Sequence, residues 1–426
     1  MVENYAGIRR FNCWDGFPEL GFKRELYLQR LNQFNNSRLV KVLVGQRRVG
    51  KSYILRQHMD RLIVNGVEPR QTLYVNKEYT NYDFIQTYKD LDELVRYHKQ
   101  QIGVEKKVYL FVDEIQLIQD WEKVINSLSQ DYTQEIELFI TGSNSELLSG
   151  ELATLLSGRY VQFTILPFGF EEYSTMLGIP ANRSAYMNYL RGSGLPELFQ
   201  LQPEAQQHYV GALRDTVLLR DIIQRHAVKD PTLLLEVFNY LCLNNSNLFS
   251  VSNIVNYYKS KNRKVAYETL ANYIEYLLQT FILYRCERYD VKGKTVIGGN
   301  AKYYLNDLAF KHHLFSGYAQ GTGYMLENLV YLELKRAGFS VFIGHLRDKE
   351  VDFVAQYQEK SIYLQVALDT SEPSTLKREY ASLLSIQDNF DKWIVTLDEF
   401  PLGEHQGIKH IPAWELFTVL EKWKSI

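Results

Sequence analysis

The sequence predicts an α/β protein: a parallel, doubly wound sheet first, a helical middle, and a second, smaller α/β part at the end. Three observations predict it. Short apolar runs alternate with helix-spaced segments over residues 39–166, the pattern of strands joined by crossover helices. Apolar residues at three- and four-residue spacing dominate from about residue 170 to 300. Strand and helix patterns alternate again after about residue 320. A chain of 426 residues exceeds what one core holds, so two or three domains are expected. The pattern changes place them at 1–170, 171–315 and 316–426.

The elements follow in order. Residues 39–44 are an apolar strand ending at Gly45, and 51–64 a helix with Ile54, Leu55, Met59, Leu62 and Ile63 at helical spacing. Strands follow at 72–75, 108–112, 137–140 and 161–166, with a helix face at Trp121, Val124, Ile125 and Leu128. The run 108–112 is continuously apolar, as a strand covered on both faces must be. In the middle, 205–225, 232–243, 250–258 and 265–280 read as helices, and 281–289 and 302–305 as strands. Three helices before a two-stranded ribbon suggest a winged helix-turn-helix. A helix at 324–337 stops at Gly338, a C′ glycine. Strands at 339–343, 351–356, 362–366 and 393–396, with a helix at 376–386, complete the last part.

Composition excludes several classes. The chain is 46% hydrophobic and 23% charged, so it folds rather than staying disordered. Forty-eight basic against fifty acidic residues leave a net charge of −2, which excludes a uniformly basic nucleic-acid coat but not a local patch. Cys13, Cys242 and Cys286 are far apart with no C-x-x-C spacing, against a zinc knuckle or disulfide framework. No apolar run approaches the roughly 18–20 residues of a membrane span, and the opening residues show no apolar signal core. The expectation is a reduced, soluble, cytoplasmic protein without a membrane partner.

Gly45-Gln46-Arg47-Arg48-Val49-Gly50-Lys51-Ser52 fits G-x-x-x-x-G-K-[ST] between a buried strand and a helix. Glycines let backbone N–H groups turn around phosphate oxygens, and the helix start adds partial positive charge. Lys51 can reach β- and γ-phosphates and Ser52 can ligate Mg²⁺, so ATP and Mg²⁺ are the expected ligands. Asp113 and Glu114 end the strand 108–112. Asp113 would hold the metal; Glu114 would activate water, since a second acid implies hydrolysis. Lys51 should be exposed when the site is empty, and Glu78 is the next base should Glu114 fail. Thr141-Gly142-Ser143-Asn144-Ser145 ends the next strand, where polar groups sense the γ-phosphate; Ser143 and Asn144 are both candidates. Arg159 and Arg220 are candidates for an arginine finger, acting within the chain or from a neighbouring copy of an oligomer.

With these residues in hand, the chain resembles a family of prokaryotic AAA-type P-loop ATPases whose C-terminal half is a conserved domain of unknown function. The resemblance rests on GQRRVGKS, VYLFVDEIQLIQDWEKVINSL, LFITGSNSELLSG, LSGRY and ILPFGFEEY. It continues through RGSGLPE, LLRDII, AYETLANYIEYLLQTFILYR, KYYLNDLAF, ENLVYLELKRAGFSVF and EVDFV. It implies ATP binding and hydrolysis on a P-loop sheet of the additional-strand type, a winged-helix segment, and a terminal restriction-endonuclease-like α/β fold. One departure stands out. Glu327 and Asp352 occupy the first two acidic positions of such a nuclease site, but Gln365 and Ala367 stand where it has Glu and Lys. A neutral amide is a weak Mg²⁺ ligand and alanine activates nothing. No nuclease activity is therefore expected, and Lys360 is too far along its strand to serve instead.

Lys259, Lys261, Arg263 and Lys264 precede the helix 265–280. They could meet DNA phosphates while that helix enters a groove, although solvated surface lysines give the same pattern. The function expected is Mg²⁺-dependent ATP hydrolysis driving or gating a conformational change on DNA or an unknown protein partner. The alternatives are a nucleotide-gated switch with negligible turnover and, less favoured, an ATP-dependent nuclease.

Overall fold

The computed structural model describes residues 2–145, 156, 158–192, 194–315, 321–346, 349–399 and 403–425. Parts of the quoted LFITGSNSELLSG, LSGRY and RGSGLPE stretches, including Ser157 beside Arg159, lie outside the described residues. The chain forms two compact units, Met1–Ile165 and Leu166–Ile426.

The first unit is built on five parallel strands: β1 Val40–Val44, β2 Thr72–Asn76, β3 Val108–Asp113, β4 Ile136–Gly142 and β5 Tyr160–Thr164. Their order is β2-β3-β4-β1-β5, so β4 lies between β1 and β3. Every residue of β1, β2 and β3 is buried, which is why their sequences are continuous rather than alternating. Helices Lys51–Val64, Tyr88–Ile102 and Trp121–Gln130 accompany the sheet. The first buries Ile54, Leu55, Met59 and Leu62. The second was not apparent from apolar spacing because its surface is heavily charged; Thr87 and Asp90 cap its start reciprocally. Because all five strands run the same way, their carboxyl ends share one edge. Asn76 pairs in register with Asp113, and Leu43 with Thr141, at that edge.

Near the opposite edge lies a buried ion group. Lys41 and Glu137 are both almost wholly buried, with Nζ 2.7 Å from Oε1. Glu137 also meets Lys107 at 2.7 Å and accepts the Asn36 N–H. Burial lowers the Lys41 ammonium's pKa while Glu137 opposes the shift.

The second unit begins with helices Phe170–Leu177, Arg183–Gly192 and Pro203–Thr216. The last passes through a π-helical stretch, Val217–Ile223, into a final turn, Gln224–His226. Helices Pro231–Leu243, Val251–Ser260 and Tyr267–Gln279 then precede a long hairpin. Nine strands form one mixed sheet: β6 Leu248–Phe249, β7 Leu283–Asp290, β8 Thr295–Leu305, β9 Ser340–Leu346, β10 Lys349–Tyr357, β11 Lys360–Ala367, β12 Asp391–Thr396, β13 Glu404–His405 and β14 Ile408–Pro412. The order is β13-β14-β12-β11-β10-β9-β7-β8-β6.

This sheet runs across the boundary expected at 315/316. β7 pairs in parallel with β9, placing Arg288 beside Ile343 and Asp290 beside His345. An unpaired hairpin edge is an open row of donors and acceptors, and β9 covers it. The fit is close at Gly344, where a Cβ would stand 2.8 Å from the Val351 side chain. The strand expected at 302–305 is longer, because Gly298 and Gly299 interrupt its pattern where the ladder shifts between Glu287 and Arg288. β14 escaped notice because Lys409, His410 and Pro412 break its apolar run.

Glu137→Gln should lower the unfolding free energy of the first unit by about 3–5 kcal/mol, since it leaves the Lys41 charge buried without its counterion. Urea denaturation followed by circular dichroism checks this; a loss below about 1 kcal/mol would mean that solvent compensates Lys41.

Candidate functional site

The loop after β1 is shaped by backbone sterics. Gly45 has φ 149°, and a Cβ there would lie 2.3 Å from the Ile165 carbonyl oxygen. The two chains are locked at this point, since the Ile165 N–H donates to the Val44 carbonyl at 2.7 Å. Arg48 and Gly50 also adopt positive φ, 69° and 95°, and Gly50 caps the helix that starts at Lys51. Gln46 and Val49 are buried in the loop, and Arg47 pairs with Glu78 at 3.1 Å.

Lys51 departs from expectation. It is buried rather than exposed, with Nζ donating to the Gly45 carbonyl at 2.8 Å and the Gln46 carbonyl at 3.0 Å. An ammonium at the centre of a ring of backbone dipoles is solvated by them, which draws the side chain inward.

Asp113 is fully buried. Its hydrogen-bond partners are neutral and come from three elements: Ser52 on the helix, Tyr74 and Asn76 on β2, and Thr141 on β4. Burial raises its carboxyl above the usual carboxylate range; Glu114 adds to the rise and the hydroxyl donors oppose it. Glu114 is mostly buried and sits in the left-handed region at φ 54°. Its N–H donates to Thr141 Oγ1 at 3.0 Å, and its carboxylate accepts from the Gln116 amide. Thr141 therefore touches both acids, whereas Ser143 and Asn144, the residues singled out in sequence, are buried just beyond it. Spacing could not separate three consecutive polar positions at a strand end. Tyr74 and Asn76 were missed because a strand pattern assigns them only to the core.

The set suits a metal-bound polyphosphate. A buried acid held by neutral donors, beside a second acid, gains from a bound cation, which offsets the burial that raises its carboxyl. The loop offers turned backbone and Lys51 one strand away.

Within the first unit, Arg159 is set apart from this site. Arg159 immediately precedes β5, whose Tyr160 pairs with Val40 at the start of β1. It thus lies at the amino edge of the sheet, about 15 Å of strand from Gly45, and its Nε donates to the Leu156 carbonyl at 3.1 Å. Arg220 lies on the π-helical stretch of the second unit.

The basic segment is partly consumed by structure. Arg263 bonds Glu236 at 2.6 Å and Asp230 at 3.1 Å, which ties it down, and Lys261 stands over the Tyr257 ring at 4.6 Å. Lys259, Lys261 and Lys264 are exposed.

In the second unit, Glu327 accepts from Lys302 Nζ at 2.9 Å and Tyr304 OH at 2.7 Å. Lys302 also pairs with Glu350 at 2.7 Å. Asp352 accepts the Val366 N–H at 2.8 Å, and its own N–H donates to Gln365, whose amide donates to Glu379 at 2.6 Å. Lys360 instead lies over the Trp423 ring at 5.5 Å. Lys302, from the upstream strand β8, is thus the cation that Glu327 and Glu350 share, and Arg378 pairs with Glu379 at 2.7 Å. Among the described residues no group of three or more His, Cys, Asp or Glu is arranged to hold a metal, and no helix is long and apolar enough to cross a membrane.

A glycine-shaped loop after β1 and paired acids after β3 define a P-loop nucleotide-binding domain. Comparison with known proteins agrees: an AAA domain family matches residues 37–174, and a domain of unknown function, DUF8612, matches residues 183–320. An uncharacterized protein of Haemophilus influenzae is 34% identical over 392 residues, covering 91% of this chain and 96% of the relative. The uncharacterized protein MJ1544 of Methanocaldococcus jannaschii is 30% identical, covering 82% and 79%. The chain belongs to this family of P-loop AAA-domain proteins with a C-terminal domain of unknown function. Among solved structures, the Aeropyrum pernix ORC1 protein in complex with DNA covers 74% of this chain and 96% of its own, at 12% identity and a TM-score of 0.31. The Thermotoga maritima RuvB Holliday junction branch migration motor covers 63% and 89%, at 16% and 0.31. Scores of that size carry nothing for the reading of the site.

Two substitutions check the geometry. Thr141→Val keeps the shape but strands the Glu114 N–H and one Asp113 oxygen, so it should cost about 1–3 kcal/mol in denaturant unfolding. Ser143→Ala should cost under about 1 kcal/mol; equal losses would mean that Thr141 has no special place. The second concerns Asp352, whose carboxyl is pushed up to about 8 by burial and by Glu327. A folded-state value above the unfolded one stabilises at low pH and is lost as pH rises through it. Asp352→Asn keeps an acceptor for Val366 N–H and cannot ionise. At pH 9 it should be more stable than wild type by about 1–3 kcal/mol, discounted for partial solvation, with the gain vanishing near pH 4. A pH-independent difference would refute the placement of that charge.

Proposed function

We propose that this protein is a Mg²⁺-dependent ATP hydrolase whose turnover gates a conformational change on a macromolecular partner. The observation that carries the reading is the bond from Ser52, at the end of the phosphate loop, to Asp113, with Glu114 next in sequence and tied through Thr141. Bound Mg²⁺ supplies charge neutralisation at the phosphates. On this reading Ser52 and Asp113 hold the metal. Gly45 through Val49 present backbone N–H groups to phosphate, and Lys51 exchanges the Gly45 and Gln46 carbonyls for phosphate oxygens. The Glu114 carboxylate accepts a proton from water, and Thr141 and Gln116 orient it. Ser143 lies where it can sense the γ-phosphate. Arg159, at the far edge of the sheet, serves as a finger only for a neighbouring copy, so full activity requires an oligomer.

The middle helices with β7 and β8 are read here as a winged helix and the remaining strands as an endonuclease-like fold without nuclease chemistry, given Gln365 and Ala367. A DNA partner would be met through Lys259, Lys261 and Lys264, with Arg263 reserved for Glu236 and Asp230. The hairpin tip is not offered for this purpose: Val291 packs in a core with Val351 and Tyr363, and Lys294 lies over Phe390.

A second reading, a nucleotide-gated switch with negligible turnover, is favoured by one observation. The Glu114 carboxylate is engaged by Gln116 rather than free.

The test is a paired set of variants assayed with and without duplex DNA. Lys51→Ala should fold normally and lose tight ATP binding. Glu114→Gln should retain Mg²⁺–ATP and lose at least about 100-fold in turnover. Normal affinity in folded Lys51→Ala sinks the phosphate-loop assignment. Wild-type turnover no faster than that of Glu114→Gln, with or without DNA, makes the switch the better reading.

A further inference from the structure

The second unit encloses a cavity of about 370 Å³ between helix Phe170–Leu177, helix Thr322–Arg336 and the turn Ala413–Glu415 that leads into helix Leu416–Lys424. That volume suits a small ligand or one side chain of a larger one. Its walls are of two chemistries. Phe170, Trp414 and Phe417 contribute aromatic surface, and Glu171 and Glu333 contribute carboxylates.

Glu333 is the decisive group. It is 3% exposed, yet it lines the cavity. Its Oε1 accepts only a long bond, 3.4 Å, from the Phe170 N–H. Its Oε2 forms an ion pair with Arg336, 3.3 Å from Nε. Arg336 is shared, since its Nη1 also lies 3.5 Å from Glu172. The guanidinium is held against Gly169, where a Cβ would stand 2.5 Å from its Nε. One cation thus serves two acids. Burial holds the Glu171 carboxyl above its usual range, with Glu172 and Glu421 adding to the rise. Burial raises Glu333 as well, against the pull of Arg336.

We infer that this cavity binds an organic cation, a primary ammonium or guanidinium on a short alkyl chain, with its donors on Glu333 and Glu171 and its face or stem against Trp414 and Phe417. Each feature selects for that class. Carboxylates lining a partly buried cavity gain from a charged N–H. Aromatic faces attract a desolvated cation and also accept methylene groups. A neutral ligand of the same shape would forgo the attraction of both carboxylates, and an anion would be repelled by them, so the site is chemically opposite to the phosphate loop. The cation could be a free amine or the lysine or arginine side chain of another protein; the recognition chemistry is shared.

Three probes on the full chain decide it: agmatine, the peptide acetyl-Gly-Arg-Gly-amide, and its neutral counterpart with norleucine in place of arginine. Binding is read by isothermal titration, with tryptophan fluorescence as a second signal. Saturable binding of at least one cationic probe is expected, with the neutral peptide about tenfold weaker or worse. Preference for agmatine identifies a small-molecule amine as the source, and preference for the peptide a protein side chain. Because Glu333→Gln disturbs a buried ion pair, the variant used is Glu171→Gln/Trp414→Leu, whose native side chains reach the solvent-facing part of the cavity. Its circular dichroism should match wild type while cation affinity falls about tenfold. Equal affinity for the neutral peptide, no saturation by either cation up to about 10 mM, or unchanged affinity in the folded double variant would each overturn the proposal.

Discussion

The arrangement of the first unit turns on keeping one carboxylate, Asp113, buried among neutral donors. An isolated buried charge costs several kcal/mol unless donors replace its water. Here Ser52, Tyr74, Asn76 and Thr141 replace it. Those four residues lie on a helix and two flanking strands, so they converge only if β3 has β2 on one side and β4 on the other. The strand order provides that. The same order sets the phosphate loop after β1 one strand away from Asp113, and Ser52 spans the gap. Sheet topology, acid and loop are therefore one constraint seen at three scales.

The sequence made the outline of this region readable for a physical reason. A strand covered on both faces is mostly apolar, so β3, and β1 despite its buried, paired Lys41, stand out, and the residues that end them, Gly45 and Asp113, stand out with them. What surrounds the acids was hidden by the same rule. Tyr74 and Asn76 occupy a strand end whose partners depend on register with β3, and register is not written in β2 alone. Thr141 was passed over for its neighbours because choosing among Thr141, Ser143 and Asn144 needs the geometry of the strand end. Lys51 is expected to be exposed at an empty phosphate site; the Gly45 and Gln46 carbonyls that draw it inward are a property of backbone conformation, not of composition.

In the second unit the failure is one of range. Local patterns located most strands and helices there, but the joining of β7 to β9 is a contact between residues more than fifty positions apart. No local pattern reports it. The same distance hid Lys302. A nuclease-like arrangement has its lysine on the strand of Gln365, where Ala367 stands here; the cation that Glu327 meets is Lys302 on β8, upstream of both acids. Pairing β7 with β9 is what brings β8 close enough to contribute it.

The molecule consequently treats buried acids in three ways, and the difference separates binding from scaffolding. Glu327 meets Lys302, which it shares with Glu350, and Tyr304. Asp113 is held by neutral donors, an arrangement suited to receive a metal. Glu333 shares Arg336 with Glu172 and lines a cavity. Desolvation opposes all three charges in the same sense; what distinguishes them is where each faces. Lys302 and Tyr304 tie the helix of Glu327 to β8, so that acid holds sheet to helix. A carboxylate on the wall of a cavity instead favours a cation as its ligand.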